Sequence, residues 1–414
     1  MKTIFPIITD TLSLTAEGEA VMKIRVAVLF GGRSVEHEVS VISAVQAMDS
    51  MNPDKYDIVP VYMTKSGGEF YTSPEMRTTS AFKDIPGLLK KAVHVNFLKE
   101  DGRVYLVEAA PRAFGKKLKL AVDVAFPIVH GTNVEDGTLA GYLRLLGLPL
   151  VGCDVLSSAL GMDKYASKII LREAGIPVLD CLYFFRRDYL DPDGVIEKTE
   201  KEIGYPVIVK PVNLGSSVGI SKATDREKLA SALELAFTFS DRVIIERAIT
   251  SLREINCAVI GDGNTAEASE CEEPLNAGDI LSYEDKYIDG SKGGGKSSGM
   301  ASLKRQIPAA IPSEVRDEIR ATACRAFTAL GCSGVSRIDF MIDGENGKLY
   351  LNEINTIPGS LAFYLFEPLG IKYRELLDRM ISIALKRARD EEEITYSFDS
   401  NILSLGGGKF TGKK

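Results

Sequence analysis

The sequence predicts a mixed α/β and α+β chain, with an open parallel sheet at its N-terminal end and two antiparallel-sheet regions after it. Three observations predict this. From Lys23 onward, apolar runs of strand length alternate with helical patterns, the signature of βαβ units. After Asp154 the runs become short and lack the long crossovers that parallel pairing needs. A chain of 414 residues is also too long for one ordinary core.

Residues 1–22 show no clear periodicity and read as an N-terminal extension or as a lead ahead of an internal start at Met22. The first region, 23–153, opens with IRVAVLFGG, a buried strand ending in glycines, followed by the apolar-faced helix VSVISAVQAM. YDIVPVYM, VDVAFPIVHG and LPLVGC read as its second, third and fourth strands, and residues 65–120 as an insertion between them. The central region, 154–250, begins with one helix, SALGMDKYASKIILREAGI, and continues with the short strands YPVIVKP, VGISKA and DRVIIERAI. The third region, 251–390, has strands INCAVIG, SRIDFMID and KLYLNEIN, the helix SEVRDEIRATACRAFTALG and a closing helix from Tyr373. Residues 391–414 form a tail rich in glycine and lysine, expected to be disordered.

A net charge of −7 leaves no excess of cations to neutralise phosphates, which argues against a nucleic-acid partner. No apolar run approaches the ~20 residues that span a bilayer. The stretch IFPII is short and broken by Pro6, a poor signal peptide, so a cytoplasmic protein is expected. Six cysteines without C-x-x-C spacing read as reduced structural thiols, and three histidines are a poor basis for zinc. Any metal is expected to be a hard ion held by carboxylates.

The stretch GSKGGGKS, from Gly290 to Ser297, fits the phosphate-loop pattern letter for letter. Its context does not. A polar run precedes it where a buried strand is required, and Pro308 and Pro312 follow before a helix could run. The stretch SRIDFMIDGENGKLYLNEIN is more informative. Alternation puts Arg337, Asp339 and Met341 on one strand face, and Leu351, Glu353 and Asn355 on one face of the next. A hairpin turning at Gly344–Gly347 sets Asp339 opposite Glu353 and Arg337 opposite Asn355. Facing carboxylates repel unless a cation lies between them. The pair is therefore either a magnesium site or an exposed polar face. Upstream, Lys210 precedes the loop Gly215-Ser-Ser-Val-Gly219, which is either a phosphate cradle of backbone N–H groups or an ordinary turn. Glu246, ending its strand, is either a hydrogen-bond acceptor for a nucleoside or a surface glutamate.

These stretches carry a resemblance. LFGGRSVEHEVS, HGTNVEDGTLAG, VGCDVLSSALGMDK, VIVKPVNLGSSVG, YEDKY, GCSGVSRIDF and NEINTIPG follow one another in an order similar to the ATP-grasp ligases. Within them the chain resembles the D-alanine–D-alanine ligase family, over roughly residues 23–385. The resemblance implies a three-domain fold with ATP between the two antiparallel sheets. It implies a ligase that joins two D-alanines through an acyl phosphate, for peptidoglycan precursor synthesis. It places Lys164 and Lys210 on the ATP phosphates, and Glu246, Ile249 and Glu254 at the adenosine. Asp339, Glu353 and Asn355 would hold two Mg²⁺ ions, or Mn²⁺. Glu36 would meet the first substrate's ammonium, with His130 nearby. Arg337 and the Gly359 N–H would stabilise the oxyanion. A lid over 281–304 would bring Lys286 and Tyr287 over the site, and Ser216 and Tyr287, with Glu36, would tie it shut. GSKGGGKS then continues that lid. The partners expected are small amino-acid substrates, and the assembly a homodimer.

The chain departs from that family after NTIPG. The family usually reads like M-T-S-H-S-L there, and this chain reads GSLAFYLFEP. Tyr364, followed by Leu365, stands where a serine would grip the second substrate's carboxylate. An ATP-grasp ligase with a different acceptor or substrate pair is the alternative, and a nucleotide-binding protein without ligase chemistry a further one. The complete set Arg337, Asp339, Glu353 and Asn355 argues against the last, since a binder does not need it.

Overall fold

The computed structural model describes residues 12–14, 20–110, 117–215, 217–275 and 305–395 of the chain. Two short strands, β1 (Leu12–Leu14) and β2 (Ala20–Met22), pair antiparallel where the sequence shows no periodicity. The first large sheet then comprises β3 (Ile24–Gly31), β4 (Tyr56–Met63), β5 (Phe70–Thr72), β6 (Val93–Glu100), β7 (Arg103–Glu108), β8 (Lys119–Val122) and β9 (Val124–Pro127). Its order is β8-β7-β6-β5-β4-β3-β9. Only β4, β3 and β9 are parallel, so the expected parallel sheet is the centre of a mixed one. The stretch at 65–120 supplies the remainder as an antiparallel meander. Such pairing needs only tight turns, as at Asp101-Gly102, and that is why no crossover helix announces it. LPLVGC, expected as a strand, contributes one parallel bridge from Leu150 to Ala125. Pro149 beside it lacks the N–H that a ladder requires. Helices α1 (His37–Ser50), α2 (Ile85–Lys91) and α3 (Thr138–Leu146) accompany this sheet.

The single helix expected at 158–176 is two, α4 (Val155–Met162) and α5 (Lys164–Glu173). Asp163 separates them in an extended conformation, and its carboxylate accepts from the N–H groups of Tyr165 and Ala166. Capping of this kind trades helix continuity for two satisfied donors. It also fixes Lys164 at the first turn of α5.

The second sheet holds β10 (Cys181–Phe185), β11 (Val207–Pro211), β12 (Ser221–Ala223) and β13 (Arg242–Arg247), all antiparallel in the order β10-β13-β11-β12. Its Val207, Val209, Val243 and Ile245 pack under α6 (Pro192–Glu202) and α7 (Arg226–Phe239). Alternation turns Lys210 and Glu246 to the other face.

The third sheet is antiparallel too: β14 (Leu252–Gly261), β15 (Ala266–Pro274), β16 (Arg305–Gln306), β17 (Gly334–Asp343) and β18 (Leu349–Asn355), in the order β16-β15-β14-β17-β18. Ile255, Cys257, Ile338 and Phe340 bury one face against α8 (Ser313–Ala329). The closing helix, α9 (Tyr373–Glu392), packs elsewhere. Its Leu376 and Met380, with Leu361 and Phe366 of the segment after β18, share a core with Val26, Phe30 and α1 of the first sheet. Each such side chain contributes about 1.5–3 kcal/mol on burial, enough in sum to seat that segment against α1.

Candidate active site

The hairpin β17–β18 has the predicted register: Asp339 faces Glu353, and Arg337 faces Asn355. Asp339 also lies opposite Asn256 of β14, which lies opposite Glu272 of β15. A polar row therefore crosses four strands as Glu272, Asn256, Asp339 and Glu353. The repulsion within it is offset locally. Arg337 donates to both oxygens of Asp339 (2.7 and 2.8 Å), and the Asn355 amide donates to one of them (3.0 Å). Lys164 lies 3.6 Å from Glu353. One expectation fails here. Leu351 pairs with Phe340 and is buried in the core, not on the face of Glu353. A register shift beside Asp339 leaves Asn352 as an extra residue, so Asn352 and Glu353 both turn to the site.

Asn352 accepts from Lys210 (3.0 Å), which joins the second sheet to the third. Lys210 also pairs with Glu246 at 2.7 Å, and Lys168 of α5 pairs with the other oxygen at 2.5 Å. Glu246 is only 1 % exposed. Burial alone would raise its carboxyl, but the two lysines overcome this and carry it down to about 2. Its side chain is thus not a surface glutamate: it is buried and pairs with two lysines. Ile249 meets Leu179 and Met341 in a small apolar cluster between the two sheets, edged by Tyr350. Glu254 lies opposite Met341 on the site face.

Glu36 opens α1 and is buried. It borders a cleft of about 340 Å³ together with Arg33, Gly131, Met162 and Gly215. Gly131 has φ +87°, and a β-carbon there would fall 2.4 Å from the Ser34 hydroxyl, so only glycine lets the chain pass. Buried His130 is held by the Ile357 carbonyl (2.8 Å) and Ser43 (3.3 Å), and burial keeps its imidazole below the usual value despite Glu36. Glu135 accepts from the N–H groups of Gly131 (2.6 Å) and Ile357 (3.2 Å). Burial, reinforced by Glu36, pushes its carboxyl up to about 8.

After Gly359 the backbone enters a left-handed turn. Ser360, Leu361 and Ala362 have φ between +50° and +52°, a region that costs non-glycine residues about 1–2 kcal/mol each. Side chains of α1 hold it: Ser43 accepts from the Ser360 N–H (3.0 Å), and the Ser360 hydroxyl bonds Gln46 (2.8 Å). The turn delivers Tyr364 to the site face of the third sheet, its hydroxyl 3.4 Å from Glu272. Burial and Glu272 push that phenol up to about 12. Leu365, by contrast, has its side chain fully in the core.

The fold thus gathers Lys164, Lys210, Arg337, Asp339, Glu353 and Asn355 into one cleft, with Ile249 and Glu254 at one end and Glu36, His130 and Gly359 at the other. Ser216, Lys286, Tyr287 and the GSKGGGKS stretch lie outside the described residues. Sequence reasoning missed Lys168, Glu135, Asn352 and Ser43. Glu135 had a signal, a carboxylate inside the glycine-bounded HGTNVEDG. Lys168 had a weaker one, its place one helical turn after Lys164. Among the described residues no three His, Cys, Asp or Glu gather as a metal cluster. Asp339, Glu353 and Asn355 still offer hard oxygens, a set suited to an ion that completes its shell with phosphate and water.

The chain matches the family described as D-ala D-ala ligase N-terminus over residues 25–153, and D-ala D-ala ligase C-terminus over residues 170–382. It is 42% identical over 383 residues to the D-alanine–D-alanine ligase of Acetivibrio thermocellus, covering 89% of this chain and 97% of that one. The corresponding protein of Thermosipho melanesiensis is 38% identical over 386 residues, covering 93% and 100%. Among solved structures, the VanG D-Ala:D-Ser ligase from Enterococcus faecalis superposes with a TM-score of 0.71 at 33% identity, covering 88% of this chain and 100% of that one. The D-alanine–D-alanine ligase from Coxiella burnetii gives 0.72 at 30%, covering 89% and 96%.

Proposed function

The chain belongs to the D-alanine–D-alanine ligase family, and from that membership we infer that its peptide bond is made in the cleft between the second and third sheets, through an acyl phosphate. It is a ligase that joins two D-alanines into D-alanyl-D-alanine for cell-wall precursor synthesis, using ATP and a divalent metal as its family does. The observation that carries the mechanism is the convergence of Asp339 and Glu353 with Arg337, Lys164 and Lys210.

A carboxylate oxygen of the first D-alanine attacks the γ-phosphorus of ATP, and the bond to the β-phosphate oxygen breaks, releasing ADP. The amine of the second D-alanine, after losing a proton, attacks the acyl carbon, and inorganic phosphate leaves with the carbon–oxygen bond's electrons. Lys164 and Lys210 meet the phosphates, and Glu246 and Lys168 keep Lys210 in place. Ile249, beside Leu179 and Met341, offers an apolar wall to the adenine, and Glu254 an acceptor to the ribose. Glu36 takes the first substrate's ammonium, with His130 and Glu135 ordering the loop beside it. Arg337 and the Gly359 N–H face the oxyanion, whose charge develops only in the transition state. Asp339, Glu353 and Asn355 would hold two magnesium ions, which supply charge neutralisation for the transferring phosphoryl group. Ser216, Lys286 and Tyr287 close the lid, which keeps water from the acyl phosphate. Tyr364 and the backbone of Leu365 border the second substrate.

No helix among the described residues is long and apolar enough to cross a membrane. We place the protein in the cytoplasm, as a homodimer. The test is magnesium- and ATP-dependent ADP release with D-alanine alone, followed by product identification. Saturable formation of D-alanyl-D-alanine supports the reading. Tyr364 at the acceptor position, and the likeness to a D-Ala:D-Ser ligase, favour one second reading: an acceptor other than D-alanine. Turnover only when D-serine or another amine accompanies D-alanine would select it.

A further inference from the structure

The second amino acid brings a carboxylate into a cleft already crowded with carboxylates. Arg337, the cation nearest the metal hairpin, is engaged through Nε and Nη2 with Asp339. The polar row, however, continues away from the hairpin. Glu272 stands two strands from Asp339, roughly 10 Å by ladder spacing. Arg305 enters this row from β16, opposite Pro274, and reaches back to Glu272 at 2.8 Å. Its guanidinium lies 4.1 Å from the centre of the Tyr364 ring. Asn256 donates to the other oxygen of Glu272 (3.1 Å).

The side chains of Arg305 and Glu272 are 10 % and 3 % exposed. Stability does not explain so buried a pair, because apolar residues of the same volume generally serve a core as well or better. An aromatic face and one carboxylate, by contrast, orient a planar guanidinium while its fork of five N–H donors can serve a second carboxylate. The Tyr364 hydroxyl donates to Glu272 (3.4 Å) and also meets Arg305, whose guanidinium lies over the phenol ring. Resting on the ligase reading above, we propose that Arg305 is the specificity-determining cation for the acceptor's carboxylate. Glu272 anchors it and Tyr364 is its platform. The charge that the departed serine hydroxyl would have met is met here from the neighbouring strand.

D-Alaninamide tests this, because it lacks the carboxylate that must be phosphorylated and can serve only as acceptor. With D-alanine and D-alaninamide at equal concentration, the ratio of D-alanyl-D-alanine to D-alanyl-D-alaninamide measures carboxylate recognition directly. Arg305→Met should lower that ratio by about tenfold or more, the worth of one charge-assisted hydrogen bond. It should raise the acceptor KM while the KM values for ATP and for the first D-alanine stay within about twofold. Arg305→Lys should retain part of the preference. Should Arg305→Met fail to fold around its unpaired glutamate, the double variant E272Q/R305M removes both charges and is expected to show the same lost preference. An unchanged product ratio in the folded variant, or a joint rise of all three KM values, would overturn the proposal and leave a structural ion pair. A wild-type enzyme that forms no dipeptide from D-alanine would instead overturn the ligase reading, and this proposal with it.

Discussion

The β17–β18 hairpin and the segment Gly359–Phe366 both bring groups to the cleft, yet they are held in opposite ways. The hairpin's geometry is local: alternation and ladder register set its faces, and its charges are offset largely by one another and by Lys164. The segment's geometry is imposed. Three non-glycine residues sit in the left-handed region because α1, some 317 residues earlier in the chain, accepts the Ser360 N–H and covers Leu361. The Glu246 cluster is intermediate, regular strand in backbone but dependent on Lys168 of α5 for charge balance. The carboxylates proposed to hold the metal sit on the regular element. Tyr364 sits on the element that depends on tertiary support.

Substitutions in the two regions should therefore fail differently. Glu353→Gln should reduce D-alanine-dependent ADP release by about 10³-fold, several kcal/mol of transition-state stabilisation, with a smaller effect on the urea midpoint because its side chain is only partly buried. Retention of more than about a tenth of the turnover would break the contrast. Glu246→Gln should cost about 3–5 kcal/mol in urea unfolding at neutral pH, because two buried lysines lose their counter-charge. Its pH signature has a definite sign. The folded carboxyl is depressed from 4.5 to about 2, so its stabilisation is present above the ordinary value and lost as pH falls through about 2. A variant as stable as wild type at neutral pH would show that the lysines do not need it.

Ser43→Ala leaves the Ser360 N–H buried without its acceptor and should cost about 1–3 kcal/mol in a thermal melt. It should also raise the acceptor KM more than the ATP KM, since the turn carries Tyr364. Equal effects on both constants would remove the turn's special role. At Glu135 the effect is read in the pH dependence of stability. Its folded carboxyl is raised to about 8, so its contribution favours the folded state below the unfolded value of 4.5 and is lost as pH rises through about 8. Between those limits wild-type stability should fall relative to Glu135→Gln. Parallel curves for the two proteins would count against that assignment.

The legible parts of the site are those whose geometry follows from periodicity. Asp339 opposite Glu353, and Arg337 opposite Asn355, follow from a period of two and a glycine turn. The same logic misplaced Leu351, because a bulge adds a residue that alternation cannot anticipate. The break at Asp163 was readable in principle, since Asp is a strong cap, but the apolar periodicity on both sides masked it. Nothing at Ser360–Ala362 signals a left-handed turn, which ordinarily selects glycine or asparagine.

By itself the sequence determined the central βαβ pattern, the two antiparallel regions, the family and the facing carboxylates, because each rests on short-range pattern or on a run of residues in order. Only the tertiary structure decided that Glu246 serves two lysines, that the first sheet is mixed, that Arg305 lies on Tyr364, and that α1 holds a strained turn. Those facts depend on which distant groups share a buried space. Burial there makes an unpaired charge or N–H costly enough to dictate its partner.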